Sequence, residues 1–266
     1  MNEQPGDIGV PSERLGFRVG DRGTHTSRTI MLSELLGLLT DVPGPVSVLR
    51  YYSAIVDDNI LGKKTASTRK LTAQRMSELY ALDPSIPVFR VLRDLWELDE
   101  PARPLLACLC ANARDPILRV TSAAVLGAQV GEIVDKHAIA DVVAAEAGGR
   151  FNPNTLDKIA RNAASSWTQS GHLRGRVHKV RARAVATPAA TAYALLLGYM
   201  AGARGEGLFQ TYWTKLLDAP PSEVDSLAFE ASRWGWLDYR RVGDVAAIAF
   251  PGLLTEADME IIRGED

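Results

Sequence analysis

Eight lysines and arginines, and no aspartate or glutamate, lie between Lys158 and Arg204 of a 266-residue chain whose net charge is −2. A cationic segment on a near-neutral protein is suited to holding a polyanion, and nucleic acid is the commonest one. Its densest part, His172 to Val185, alternates basic residues with small or apolar ones, as a strand does. Alternation sets Arg174 and Arg176 on one face, and Lys179, Arg181 and Arg183 on one face. All five are expected to contact phosphates, following a backbone or reaching into a minor groove. An edge strand that merely resists aggregation needs only one or two lysines.

The segment just before it is predicted to be a helix in which Lys158, Arg161 and Asn162 share a side. Lys158 and Arg161 would add phosphate contacts. Asn162, Thr168 and Gln169 have the short donors and acceptors that reach base edges or sugars. A solvated face of an ordinary amphipathic helix is the plainer alternative. A second cluster, Lys63, Lys64, Arg69 and Lys70 with Arg75 beyond, places five basic residues and no acid between Asp58 and Glu78. Thr65, Ser67 and Thr68 at a helix start would present backbone N–H groups to a phosphate, extending the track. An N-capped helix with a basic first turn accounts for that cluster equally well.

Catalytic signals are thin. His25, His137, His172 and His178 are scattered without metal-ligand spacing. No nucleophile elbow frames a serine, and no glycine-rich phosphate loop follows a strand. Asp57-Asp58 reads as an exposed helix end. Neither a metal nor a cofactor is expected, and the chain is read as no enzyme.

The elements that would position the cations are mainly helical. Apolar spacing predicts helices over 26–40, 46–60, 67–80, 86–98, 105–112, 115–126 and 136–147. Asp83-Pro, Asp115-Pro and Asn152-Pro read as caps followed by a first-turn proline. Gly148-Gly149 is the expected boundary. After it come a helix over 154–170 ended by Gly171, the basic hairpin, further helices over 188–200, 207–217 and 222–234, and a second hairpin around 241–243. A helix followed by a hairpin, twice over, is the pattern of a winged helix. The expected fold is therefore mainly α. A flexible extension over 1–24 precedes a helical bundle over 25–148, then a winged-helix-like region over 149–255 with one or two short hairpins, and an acidic tail over 256–266.

Composition agrees with a globular chain: 46% apolar and 23% charged residues. Cys108 and Cys110, two apart on a predicted helix, face different sides and are read as buried thiols in a reducing cytoplasm. The apolar run from Pro188 to Ala203 is too short to span a bilayer, and the first 30 residues lack a signal-like apolar core.

Several segments together resemble the BrxA family of the BREX phage-defence systems. They are Asn59-Ile-Leu61, Thr65 to Leu71, Arg75 to Leu79, Thr155 to Arg161, Trp167 to Gly171, Gly235 to Arg240 and Gly243 to Ile248, in matching order over roughly residues 25–254. The resemblance implies non-catalytic binding of double-stranded DNA by an accessory to a multi-protein defence system. A looser similarity to the RNA-binding antitermination factor NusB keeps RNA open as a partner. A protein–protein adaptor, its basic strip docked on a larger defence enzyme, is the other reading.

Overall fold

Five helices start on a proline, whose fixed φ suits the first helical position and whose missing N–H costs nothing there. The computed structural model describes residues 13–243 and 245–264. Its first six helices are α1 (Leu32–Asp41), α2 (Val48–Val56), α3 (Ala66–Tyr80), α4 (Pro87–Leu98), α5 (Arg103–Arg114) and α6 (Pro116–Leu126). Then come α7 (Lys136–Ala147), α8 (Pro153–Gln169), the hairpin β1 (Leu173–Arg174) and β2 (Val180–Arg181), and α9 (Pro188–Met200). Short α10 (Tyr212–Lys215), α11 (Pro221–Arg233), the hairpin β3 (Asp238–Val242) and β4 (Val245–Ala249), and α12 (Glu256–Arg263) complete the order. The protein is mainly helical with two small antiparallel hairpins, as the sequence predicts.

The caps follow the sequence at two of three places. Asp115 accepts the Leu118 N–H at 3.1 Å, and Asn152 accepts that of Thr155 at 2.9 Å. Asp83 does not cap α4; its carboxylate folds back onto Ser85 instead, and Ile86 takes the cap position without a side-chain bond. The predicted 207–217 helix is a 3-10 turn, Gly205–Gln210, followed by α10.

The main hydrophobic core draws on residues from Leu15 to Leu253. Helix α9 is buried on nearly every side and packs against α4, α5 and α11. No helix among the described residues is long and apolar enough to cross a membrane.

Two expected boundaries move. Residues 13–24 are not a flexible extension: Leu15 and Phe17 are buried, and Phe17 packs on Trp213 with ring centroids 5.7 Å apart. Arg114 fastens the segment by donating to the Gly16 carbonyl at 2.6 Å and to those of Ser77 and Glu78. Residues 1–12 lie outside the described residues. The acidic tail begins as helix α12, closed by a capping box between Thr255 and Asp258 and joined to α4 by the Arg90–Asp258 ion pair. Residues 265–266 lie outside the described part.

Candidate nucleic-acid interface

Residues 131–134, between α6 and α7, run antiparallel to β2. Ile133 pairs with Val180, the Val134 N–H reaches the Lys179 carbonyl at 2.8 Å, and the Arg181 N–H reaches that of Glu132 at 2.7 Å. The order from α6 is thus helix, short strand, helix, helix, hairpin, with the first strand paired to the last. That is the order of elements in a winged helix, with α8 as the helix before the hairpin and the β1–β2 turn in the position of the wing. Gly148-Gly149 is therefore not a boundary between units. Both glycines have positive φ (55° and 86°) and make the tight turn between α7 and α8, which pack on each other. The winged-helix order of elements begins with α6, before the Gly148-Gly149 turn.

The wing carries the cations that stay free. Arg174, Arg176 and His178 are exposed around the turn, with Val177 at 81% exposure. Gly175 has a φ of 97°, and a Cβ there would lie 2.2 Å from the His178 carbonyl oxygen, so only glycine closes this turn. Lys179 is partly buried and donates to the Gly175 carbonyl at 2.8 Å; burial pulls its ammonium pKa down. Arg183 is exposed just beyond β2. On α8, Lys158 and Arg161 are exposed one turn apart, on the side shared with Asn154 and Ser165. Arg161 is partly neutralised by Asp157 at 2.9 Å, and Asp157 also takes Lys136 at 2.9 Å.

Four expected contacts need correction. Arg181 is 3% exposed. It stands opposite Leu173 in the hairpin, so alternation turns both inward. There it makes a two-pronged pair with Asp218, at 2.7 and 2.6 Å, and donates to the His172 carbonyl at 3.2 Å. Asn162, Thr168 and Gln169 are spent internally. Asn162 donates to the His25 carbonyl at 2.9 Å, Thr168 to the Ala164 carbonyl at 2.8 Å, and Gln169 accepts the Leu32 N–H at 3.0 Å. A polar helix face looks the same in sequence whether it meets water or the backbone of another segment. Here residues 25–32 lie over it.

The second basic cluster is also partly consumed. Lys63 pairs with Glu34 at 2.9 Å, and Arg69 donates to the Val56 carbonyl at 2.8 Å. Lys64 and Lys70 are exposed. The C-terminal end of α3 meets the turn Thr24–Thr26 through a Thr24–Glu78 bond of 3.0 Å. Lys63 and Lys64 stand off the opposite end, a helix length of about 20 Å away.

What holds α8 was not legible in the motifs. His25 Nδ1 lies 2.7 Å from Asp115 Oδ2, and His25 Nε2 lies 2.8 Å from the Ser166 hydroxyl. The spacing matches a Ser-His-Asp relay. His25 is 0% and Ser166 1% exposed, and Ser166 also accepts the Ile30 N–H at 3.0 Å and donates to the Asn162 carbonyl at 2.9 Å. No substrate reaches that oxygen, so the relay is a clamp holding residues 24–30 on α8 and α6. Burial raises the pKa of Asp115, but His25 and the Leu118 and His25 N–H groups outweigh it, and the net shift is downward. Cys108 and Cys110 are buried free thiols whose pKa values burial pushes up to about 12, so neither is nucleophilic at neutral pH. No cluster of His, Cys, Asp and Glu suited to a metal occurs among the described residues.

His172, at the foot of the wing, is buried edge-on against Trp167 between Ser170 (2.8 Å) and the Leu216 carbonyl (2.9 Å). Burial lowers its pKa from 6.5 to about 4, against the opposing pull of the Leu216 carbonyl and Asp218. The unfolded chain therefore takes the proton first. The stabilising contribution is complete above pH 6.5 and is lost as pH falls toward 4, a span worth roughly 3 kcal/mol. Urea midpoints measured from pH 7 to 4 should fall steeply in the wild type and less in His172→Gln. Parallel curves would exclude His172 as the source.

The second hairpin also follows a helix, α11, and packs against it. Beside its turn Val242 and Val245 are 82% and 71% exposed. Arg241 is paired with Glu206 (2.8 Å) and Asp225 (2.7 Å). No family model matches the sequence, and no curated protein matches it.

Proposed function

We propose that this chain binds the phosphate backbone of double-stranded DNA through α8 and the β1–β2 wing, as a non-catalytic accessory protein. The observation that carries the reading is the free wing: Arg174, Arg176 and Arg183 are exposed and Lys158 is exposed on the helix before them, in a winged-helix order of elements. With Asn162 and Gln169 turned inward, the exposed side chains favour backbone over base contacts, so binding should depend weakly on sequence. The accessory role in phage defence rests on the family resemblance alone. Its test is phage plating with this chain deleted from its operon.

The binding test is a salt titration. Four cations neutralising four phosphates give a log–log slope of about −3.6, a loss of about 10²-fold in affinity between 50 and 200 mM salt. Reversing Arg174 and Arg176 to Glu should weaken duplex binding by about 10²-fold without a change in melting temperature. Salt-insensitive binding, or an unchanged affinity in that variant, would sink the proposal. RNA of matched sequence in the same titration separates the two nucleic acids.

A protein partner is the second reading, because apolar side chains share the small sheet with the arginines. Ile133 is 66% and Val130 59% exposed beside β2, and Val177 projects from the tip. A mixed apolar and arginine-rich patch is how many protein interfaces are composed. Capture of the same partner after complete nuclease digestion, lost in Ile133→Asp, favours this reading.

A further inference from the structure

The turn that carries His25 also frames a cavity of about 550 Å³, lined by four arginines, Arg18, Arg22, Arg75 and Arg150, and two carboxylates, Asp21 and Glu78. Four positive charges less two negative leave this lining at +2. Both carboxylates are already committed. Glu78 accepts from Arg75 at 2.7 Å and from Thr24 and Gln74 at 3.0 Å each, and Asp21 is paired with Arg150.

The cations are less fully engaged. Arg18 has one long contact, 3.5 Å to the Glu78 carbonyl. The Arg75 Nε is buried without a hydrogen-bond partner. Arg22 is exposed and makes no hydrogen bond or ion pair among the described residues. The remaining walls are apolar: Ile117 and Phe151 belong to a small buried cluster with Val143 and Ile159.

We propose that this cavity binds a phosphomonoester carrying a flat or apolar body, with a nucleoside monophosphate as the type ligand. Three under-used guanidinium groups offer more N–H donors than the two oxygens of a carboxylate can accept. The three terminal oxygens of a phosphomonoester can take them, and its second charge matches the +2 lining. The body lies against Ile117 and Phe151, with one face of the Phe151 ring already covered by the Arg150 guanidinium at 4.3 Å from its centroid. The backbone that carries Arg22 is fixed before the ligand arrives. His25 and Asp115 fasten the turn, and a Cβ on Gly23 would sit 2.0 Å from Asp115 Oδ1, so the backbone is pressed directly onto its anchor.

The ligand comes either as a free nucleotide or as the phosphorylated 5′ end of a nucleic-acid strand. This site is separate from the phosphate contacts of the wing, and its test uses no duplex. Titration calorimetry on the full chain would compare adenosine 5′-monophosphate, adenosine, and a single-stranded hexanucleotide with and without a 5′ phosphate. The expected result is saturable binding of the monophosphate and none of adenosine. Arg22→Gln, which removes no internal bond, should weaken it about tenfold, the effect of one charge-assisted hydrogen bond, at an unchanged melting temperature. Binding of the hexanucleotide alone, dependent on its 5′ phosphate and on Arg22, would support the site and identify a strand end as the source. Equal binding of adenosine and its monophosphate, no saturation of any probe at millimolar concentration, or equal affinity in Arg22→Gln would overturn the proposal.

Discussion

Asp115→Ala is expected to destabilise the protein by about 3–5 kcal/mol, a fall of roughly 10 °C in melting temperature for a chain of this size. The carboxylate is 1% exposed and accepts three N–H groups: the His25 backbone at 3.1 Å, the His25 ring at 2.7 Å and Leu118 at 3.1 Å. Alanine leaves all three buried donors without partners, and each costs its desolvation. It also removes the α6 cap, worth about 1 kcal/mol. Asp115→Asn separates shape from charge. One amide oxygen can still cap Leu118, but the NH2 group then meets the His25 N–H groups donor to donor, so this variant should lose nearly as much. Ser166→Ala should cost less, because only one hydroxyl is removed. Differential scanning calorimetry at pH 7 measures all three. A loss under about 1 kcal/mol in Asp115→Ala would show that the relay does not fasten the turn. The sign with pH follows from the lowered pKa. This stabilisation is full above the ordinary carboxylate value of 3.8 and fades as pH falls toward the lower folded value, after His172 has already titrated.

Local signals carried the helices and hairpins into the sequence, and long-range pairings kept the site out of it. Asp115-Pro116 and Asn152-Pro153 announce α6 and α8 because a cap and a first-turn proline act within four residues. The hairpins are legible from alternation and from Gly175 and Gly243. The clamp joins residues 25, 115 and 166, and no spacing rule connects them. Gly148-Gly149 reads as a linker because composition does not distinguish a tight interhelical turn from a domain boundary. The strand that reveals the winged-helix order, residues 131–134, is too short for a periodicity of its own. Charge clustering identified the wing, but it could not say which of five cations faces inward. That depends on Asp218, which lies 37 residues beyond Arg181.

The two kinds of cation in the wing should therefore separate cleanly on mutation. Asp218→Ala is expected to cost about 3 kcal/mol or more, because it leaves the Arg181 guanidinium buried without its counter-charge. Asp218 Oδ2 also accepts the Ala184 N–H at 3.0 Å, so the loss frays the chain just after β2 and loosens the join between the wing and the α10–α11 turn. Replacing both partners, as Arg181→Met with Asp218→Leu, should recover most of that stability, since a well-packed apolar pair avoids the desolvation of two charges. Below its melting temperature this double variant should still bind duplex DNA with nearly wild-type affinity, because a 3% exposed arginine offers nothing to a phosphate. The reversal of Arg174 and Arg176 should do the opposite, leaving the unfolding midpoint in place and removing the salt-dependent binding. If the apolar double variant folds but loses binding as fully as the surface reversal, Arg181 reaches the ligand and the division of roles drawn from its burial is wrong. If it binds normally while the surface reversal does not, Arg181 and Asp218 serve to hold the wing, and the arginines at its turn make the contacts.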